Sequence, residues 1–222
     1  MPHTVLTRST EDYLKNIYHL QRSGKKINTG NLAGMLGVSA ASVSEMIAKL
    51  AKREWIINTP YYGFKLTRKG EKLAVNLTRK HRLIEVFLHR NLNYKWDEVH
   101  TEAEKLEHVC SDKFIDMLEK YLGFPRFDPH GDPIPDKNGR TEKVTHINLS
   151  EARAGGEYVI TKVNDSSNEI LKYLTTIGMK LKSKIRIHRK IEFDGSVLVS
   201  HKSRKQLLSS KMSENIFITE AT

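Results

Sequence analysis

The segment HTEAEKLEHVCSD opens with His100, Glu102, Glu104, Glu107 and His108 inside nine residues. On a helix turning 100° per residue, His100, Glu104, Glu107 and His108 share an arc of roughly 100°, and Glu102 points away. A solvated face would carry more balancing lysine, and only Lys105 is near. A second pair, His81 and Glu85 in HRLIE, is spaced i and i+4, on one face of a helix. Imidazole nitrogen and carboxylate oxygen together suit Mn2+, Fe2+, Co2+, Ni2+ or Zn2+. Either pair alone reads as exposed side chains in i,i+4 hydrogen bonds. Two clusters on adjacent predicted helices point instead to bound metal.

The elements that must position these groups are legible from pattern. STEDYLKNIYHLQRSG gives a helix with Ser9 or Thr10 as cap, Glu11 and Asp12 in its first turn, Leu14, Ile17 and Tyr18 on the apolar stripe, and Gly24 as its end. NTGNLAGMLGVS predicts a short helix facing inward through Leu32, Ala33 and Leu36 and stopping at Gly37. The next helix starts after Ser39 and buries Val43, Ile47 and Leu50, and IINTPYYGFKLT alternates around a turn as a hairpin does. Helix, glycine turn, helix and hairpin make a winged helix-turn-helix. Its candidate DNA contacts are Ser39, Ala41, Ser42, Glu45 and Lys49 on the second helix and Tyr61, Tyr62 and Lys65 on the wing. Those small side chains offer few bidentate donors, so phosphate contacts and DNA shape should carry much of the affinity.

Two amphipathic stretches follow, EKLAVNLTRKHRLIEVFLHRNL and DEVHTEAEKLEHVCSDKFIDMLEKYLG, the second with a break expected near Glu98. Their apolar residues, among them Leu83, Phe87, Leu106, Val109, Phe114 and Leu118, exceed what two helices bury and suit a homodimer interface. GFPRFDPHGDPIPDKNGR, with four prolines and three glycines, is an irregular loop in which His130 and Asp132 read as turn formers. Beyond Arg140, EYVITKV, KIRIHRKI and SVLVSHK alternate as strands around the helical NEILKYLTTIG. The expected fold is mainly α with small β: a winged head over 1–73, a helical metal-binding and dimerisation domain over 74–140, a polar linker over 141–150, and a small β-barrel of about five strands over 151–222.

Composition agrees with a polyanionic partner. The net charge is +11, and residues 1–73 hold twelve Lys and Arg against five Asp and Glu, whereas residues 74–140 hold eleven against twelve. Cys110 is the single cysteine, which excludes an intramolecular disulfide and any paired-cysteine zinc site, and it reads as a small buried hydrophobe. No apolar run approaches the roughly 18 residues of a membrane helix, so a soluble cytoplasmic protein without a membrane partner is expected.

STEDYLKNIYHL, LAGMLGVSAASVSEMIAKL, GFKLTRKGEKLA, RKHRLIEVFL, VHTEAEKLEHVCSD and PHGDPIP together resemble the diphtheria-toxin repressor family of bacterial metal-dependent transcriptional repressors, which includes the manganese transport regulators. The resemblance is nearly continuous over residues 5–140 and weaker beyond, where YLTTIGMKLKSKIRI looks like the FeoA-type domain of the longer members. It implies a primary regulatory site of Asp12, Glu104, Glu107 and His108. It also implies an ancillary site of His81, Glu85 and His100, with Asp165 or Glu169 reaching in from the barrel. The iron-responsive branch tends to place sulfur where this chain has Asp12 and Glu104, so harder oxygen at both positions favours Mn2+, with Fe2+ the main competitor. Lys15 departs from the short manganese regulators, which have a second Glu one turn after the first Asp, and a closely bridged two-manganese site is not expected here.

The function so implied is a non-enzymatic, metal-dependent repressor. As a homodimer it would bind a palindromic double-stranded operator at metal-uptake genes, with no small organic substrate. Metal shared between head and dimerisation region would fix the first helix, which three like-charged carboxylates otherwise push apart. Two rivals of other classes are a dinuclear metallohydrolase and a metal-independent winged-helix regulator sensing an organic ligand.

Overall fold

The computed structural model describes residues 6–22, 27–59, 63–165 and 168–221. In chain order the elements are α1 (Arg8–Arg22), α2 (Thr29–Leu36), α3 (Ala40–Lys52), β1 (Ile56–Thr59), β2 (Gly63–Leu66), α4 (Arg68–Asn91), α5 (Val99–Leu106) and α6 (Asp112–Tyr121). There follow β3 (Ile147–Asn148), β4 (Glu157–Val163), α7 (Asn168–Thr176), β5 (Lys184–Lys190), β6 (Val197–His201), β7 (Arg204–Leu208), α8 (Ser210–Ser213) and β8 (Ile216–Glu220). The chain forms two compact units. The first holds Met1–His81, Lys105–Ser111 and Pro135–Arg140, and the second holds Arg82–Glu104, Asp112–Ile134 and Thr141–Thr222.

In the first unit, α1, α2, α3 and the β1–β2 hairpin close over one apolar core. Leu14, Ile17, Leu32, Val43 and Leu50 are essentially inaccessible, and Phe64 and Leu66 of β2 complete it. Local chemistry explains the boundaries. The Thr7 hydroxyl accepts from the Thr10 amide at 3.3 Å, so α1 starts at Arg8, ahead of where a Ser9 or Thr10 cap would place it. Asn28 caps α2, and Gly37 ends it in the left-handed region at φ 64°, its N–H reaching Ala33 O. Ser39 then caps α3 by accepting from the Ser42 amide. β1 and β2 pair antiparallel from Ile56↔Leu66 to Thr59↔Gly63. Gly24 lies outside the described residues.

The long second middle helix is not continuous. After α5 the chain turns over residues 107–111, where the Val109 and Cys110 amides both return to Leu106 O at 3.1 and 3.2 Å, and α6 begins at Asp112. Lys80 Nζ donates to Cys110 O at 2.8 Å, fastening this turn to α4, and Cys110 itself is half-buried rather than fully buried.

In the second unit, six antiparallel strands run in the order β3-β8-β4-β5-β6-β7. The expected barrel is therefore an open sheet: its edges are β3 and β7, and they do not pair with each other among the described residues. With only two residues, β3 offers too few backbone groups to close a ring. It lies within residues 141–150 and pairs with β8 through Ile147↔Ile218 and Asn148↔Phe217, and Leu149 beyond it is fully buried. Bulges at Ile160/Lys162 and Ile187/Arg189 bend β4 and β5, and α7 packs Leu171 and Leu174 into the sheet's core. Among the described residues no helix is long and apolar enough to cross a membrane.

The loop before the sheet is irregular but tightly held. Gly131 sits at φ 92°, and a Cβ there would lie 2.1 Å from the Thr161 carbonyl oxygen of β4. The Val163 amide donates to His130 O at 2.9 Å, Lys162 Nζ to Asp132 Oδ1 at 2.7 Å, and Arg82 Nη1 to Pro133 O at 2.6 Å. Gly131→Ala is expected to lower stability by about 1–3 kcal/mol, through both the contact and the left-handed backbone, as read by denaturant unfolding.

Candidate metal centres

The first unit brings together carboxylates of α1 with the turn after α5. His108 Nδ1 donates to Glu11 Oε2 at 2.6 Å, which fixes the ring and turns Nε2 toward the carboxylates beyond it. Nε2 is buried and has no hydrogen-bond partner among the described residues. It lies 3.1 Å from Asp12 Oδ1 and 3.5 Å from Glu107 Oε1. Asp12, Glu107 and His108 each place one ligand atom within 4.8 Å of the others. Glu107 is wholly buried and is gripped twice more, by Lys15 Nζ on Oε1 and His81 Nδ1 on Oε2, both at 2.5 Å. Glu104 lies on the last turn of α5, half-buried and four residues before His108.

An orphaned, oriented imidazole nitrogen facing two carboxylates is what a divalent ion requires. The Glu11 hydrogen bond holds the ring so that Nε2 is the nitrogen presented to Asp12 and Glu107. Glu11 did not emerge from sequence as part of the site. Its signal was only its adjacency to Asp12 on the first turn of α1.

A second cluster lies within the second unit. His100 Nδ1 of α5 is 3.3 Å from Asp165 Oδ2 and 3.5 Å from Glu85 Oε1 of α4. His130 adds its ring from the proline-rich loop, with Nδ1 3.7 Å from Glu85 Oε2 and 3.9 Å from Asp165 Oδ2. Its Nε2 donates to Trp96 O at 2.6 Å, the ring stacks on Trp96, and the buried Nδ1 has no hydrogen-bond partner among the described residues. Trp96 is itself held by its indole N–H on Thr175 Oγ1 of α7 at 2.8 Å. Asp128 stands beside Glu85 and His130, accepts from the His130 and Asp132 amides, and faces Arg82 Nε at 3.5 Å.

His130, read from sequence as a turn former, and Asp128 of the same loop are thus among the ligand-capable groups. Loop residues have no periodicity to reveal which way they point. Glu169, in contrast, is exposed on the first turn of α7 and outside both clusters, and His81 is engaged with Glu107.

The electrostatics of the second cluster follow from burial and proximity. Hydrogen bonds from His100 to Asp165 and then Glu85 outweigh desolvation and push the imidazole up to about 10. Burial works against a charged His130, but Glu85, and after it Asp128 and Asp165, override that and raise it to about 9. Burial would raise Asp165, yet its hydrogen bond to His100 and the charge of His130 hold it well below the usual carboxylate range. Desolvation, reinforced by Asp132 and Glu85, lifts Asp128 to about 7.

On α3, Ser39, Ala41, Ser42, Glu45 and Lys49 are exposed, as is Lys65 on β2. Part of this chemistry is internally engaged: the Ser39 and Ser42 hydroxyls lie 2.9 Å apart, and Lys49 Nζ meets Glu45 Oε1 at 2.7 Å. Tyr61 and Tyr62 lie outside the described residues.

Comparison with known proteins adds three family matches. Residues 5–64 match the iron dependent repressor N-terminal DNA binding domain. Residues 67–136 match the iron dependent repressor metal binding and dimerisation domain, and residues 147–220 the FeoA domain. The chain is 35% identical over 130 residues to the iron-dependent repressor IdeR of Mycobacterium tuberculosis, a stretch covering 59% of this chain and 56% of that protein. It is 29% identical to the diphtheria toxin repressor of Corynebacterium diphtheriae, over 97% of this chain and 98% of that one. Among solved structures, a manganese-dependent transcriptional repressor in complex with manganese superposes with a TM-score of 0.89 at 36% identity, covering 96% of this chain and 100% of that chain. The cadmium-bound repressor ScaR gives 0.83 at 36% identity, covering 96% and 99%.

Because His100 and His130 are both protonated near pH 7 and a metal ligand must be neutral, loading this cluster has to expel protons. Calorimetric titration with Mn2+ in two buffers of different ionisation enthalpy should give buffer-dependent heats at pH 7, and apparent affinity should rise as pH climbs toward 9. Without metal the linkage has the opposite sense. The raised imidazoles stabilise the fold fully below their unfolded value of 6.5 and lose that contribution as pH rises through about 9 to 10.

Proposed function

The chain belongs to the iron-dependent repressor family, and from that membership we propose that it is a metal-dependent, DNA-binding transcriptional repressor answering to Mn2+. The family consists of transcriptional repressors, not enzymes. The observation that carries the reading is the buried His108 Nε2, aimed at Asp12 and Glu107. We assign the regulatory ligands as Asp12, Glu104, Glu107 and His108. A second set is built on Glu85, His100, His130 and Asp165, with Asp128 beside it. Oxygen ligands at Asp12 and Glu104, with no thiolate or thioether in either set, support Mn2+ over softer ions, with Fe2+ the alternative.

Bound there, the ion would neutralise the carboxylates and join α1 to the turn after α5. The chain's own residues do the rest. α1 shares one core with α2, α3 and the hairpin, so fixing α1 fixes the helix that carries Ser39, Ala41, Ser42, Glu45 and Lys49. A dimer reading a palindromic operator needs its two recognition helices about 34 Å apart, which makes head orientation decisive. A differential of roughly 1–3 kcal/mol between the loaded and unloaded states changes DNA affinity about 5–150-fold. Metal-uptake genes are the operators this reading assigns. The domain reading stays 1–73 for the head, 74–140 for metal binding and dimerisation, and 151–222 for the C-terminal domain.

Dimerisation is assigned to α6. Phe114, Met117 and Tyr121 recur at helical spacing and are 50%, 58% and 69% exposed, and Phe124 just beyond is 63% exposed. Aromatic and methionine side chains on one exposed helix face suit a self-complementary interface.

Two experiments test the reading. Purified protein should capture palindromic fragments of the source genome with Mn2+ or Fe2+ and not with excess chelator, and the more effective ion decides between the two metals. His108→Ala should abolish the metal-dependent part of that capture and leave a folded dimer. Equal capture in chelator would favour the metal-independent regulator instead. Met117→Asp should weaken the dimer roughly tenfold or more in sedimentation equilibrium, with the helical circular dichroism retained.

A further inference from the structure

Lys15 is a lysine with almost no access to water. It is 6% exposed, one turn along α1 from Glu11 and Asp12, and its ammonium donates to Glu107 Oε1 at 2.5 Å. Lysine is almost never fully buried without a partner, and here the partner is the carboxylate that also lies 3.5 Å from the orphaned His108 Nε2. Glu107 Oε2 is taken by His81 Nδ1. Both Glu107 oxygens are therefore already committed to groups of the chain itself.

The geometry points to Lys15 as a tethered counter-cation of the regulatory site, competing with the divalent ion for Glu107 and so setting the free-ion concentration at which the protein loads. The inference rests on the metal reading given above. Its argument is electrostatic. A carboxylate at 0% exposure needs a positive partner, and without one its burial would be prohibitive. In the metal-free protein Lys15 supplies that charge. When the ion arrives at Glu107 Oε1, the ammonium already there either gives way or stays beside it, since a carboxylate oxygen has two lone pairs. Loading therefore either weakens the Lys15–Glu107 bond or brings two cations together in one low-dielectric pocket, and both oppose it. The cation that satisfies Glu107 thereby also weakens the site's affinity for metal.

The test compares wild type, Lys15→Gln and Lys15→Arg by withdrawing Mn2+ from the loaded proteins with a competing chelator of known affinity. Gln keeps a donor for Glu107 and removes the charge, so Lys15→Gln should hold Mn2+ about 10- to 100-fold more tightly, the span of one charge-assisted hydrogen bond. Lys15→Arg keeps the charge and should show no gain. Thermal melting gives an independent reading: Lys15→Gln should melt lower than wild type without metal and no lower with it. Wild type that binds Mn2+ tightly beside a Lys15→Gln of equal or weaker affinity would overturn the counter-cation and leave the metal site standing. Failure of wild type and both variants to bind Mn2+ would overturn the metal reading itself, and the inference with it.

Discussion

Two buried carboxylates constrain the rest of this molecule. Glu107 in the first unit and Glu85 in the second are both at 0% exposure, and an ionised carboxylate out of water must have positive charge beside it. Each has been given that charge by the chain. Glu107 holds Lys15 and His81, and Glu85 has His100 and His130 within 3.5 and 3.7 Å, both imidazoles raised far enough to stay protonated at neutral pH. These are the clusters with orphaned ring nitrogens. In both clusters the charge beside the buried carboxylate comes from the chain itself, an ammonium at Glu107 and imidazoles at Glu85.

The architecture serves that arrangement. Breaking the helix after Leu106 puts Glu107 and His108 in a turn, from which both side chains converge on Asp12. Lys80 secures the turn through Cys110 O, and Glu11 secures the ring of His108. In the second unit, Arg82 and Lys162 hold the proline-rich loop through Asp132 and Pro133, and Gly131 lets it approach β4 closely enough for His130 to reach Glu85. Most of the outer contacts are charge-assisted hydrogen bonds, which orient as well as stabilise.

How much of this the sequence disclosed depends on what kind of signal each residue carries. The cap at Ser39, the stop at Gly37 and the inward stripe of Val43, Ile47 and Leu50 follow from local chemistry and period, and they are where the pattern puts them. The i,i+4 pair His81 and Glu85 is legible as a pair, but what each meets, Glu107 for His81 and His100 for Glu85, is not, because spacing on a helix does not say what packs against it. His130 and Asp128 were hidden in a segment without periodicity. Lys15 was visible as a substitution for an acid, but its burial depends on Glu107, 92 residues away, and no local pattern encodes that. The open sheet escaped notice for the same reason: alternation identifies strands but does not say whether the last one meets the first.

Metal response in such a molecule is better described as exchange of cations than as the filling of a void. On the proposed reading, loading would exchange an ammonium at Glu107 and protons at His100 and His130 for the ion, and the free energy passed to DNA binding would be a difference between two satisfied states. Such an exchange would let a site with several charged ligands answer to a graded concentration of ion without being permanently saturated, since every contact the ion gains is set against one the chain gives up. It also separates two roles that a bare cluster of carboxylates would confuse. The ligand atoms decide which ion is held, and the internal cations decide at what concentration it is held. Because α1 shares one core with α2, α3 and the hairpin, an ion fixing α1 would, on that reading, also fix the surface proposed to read DNA.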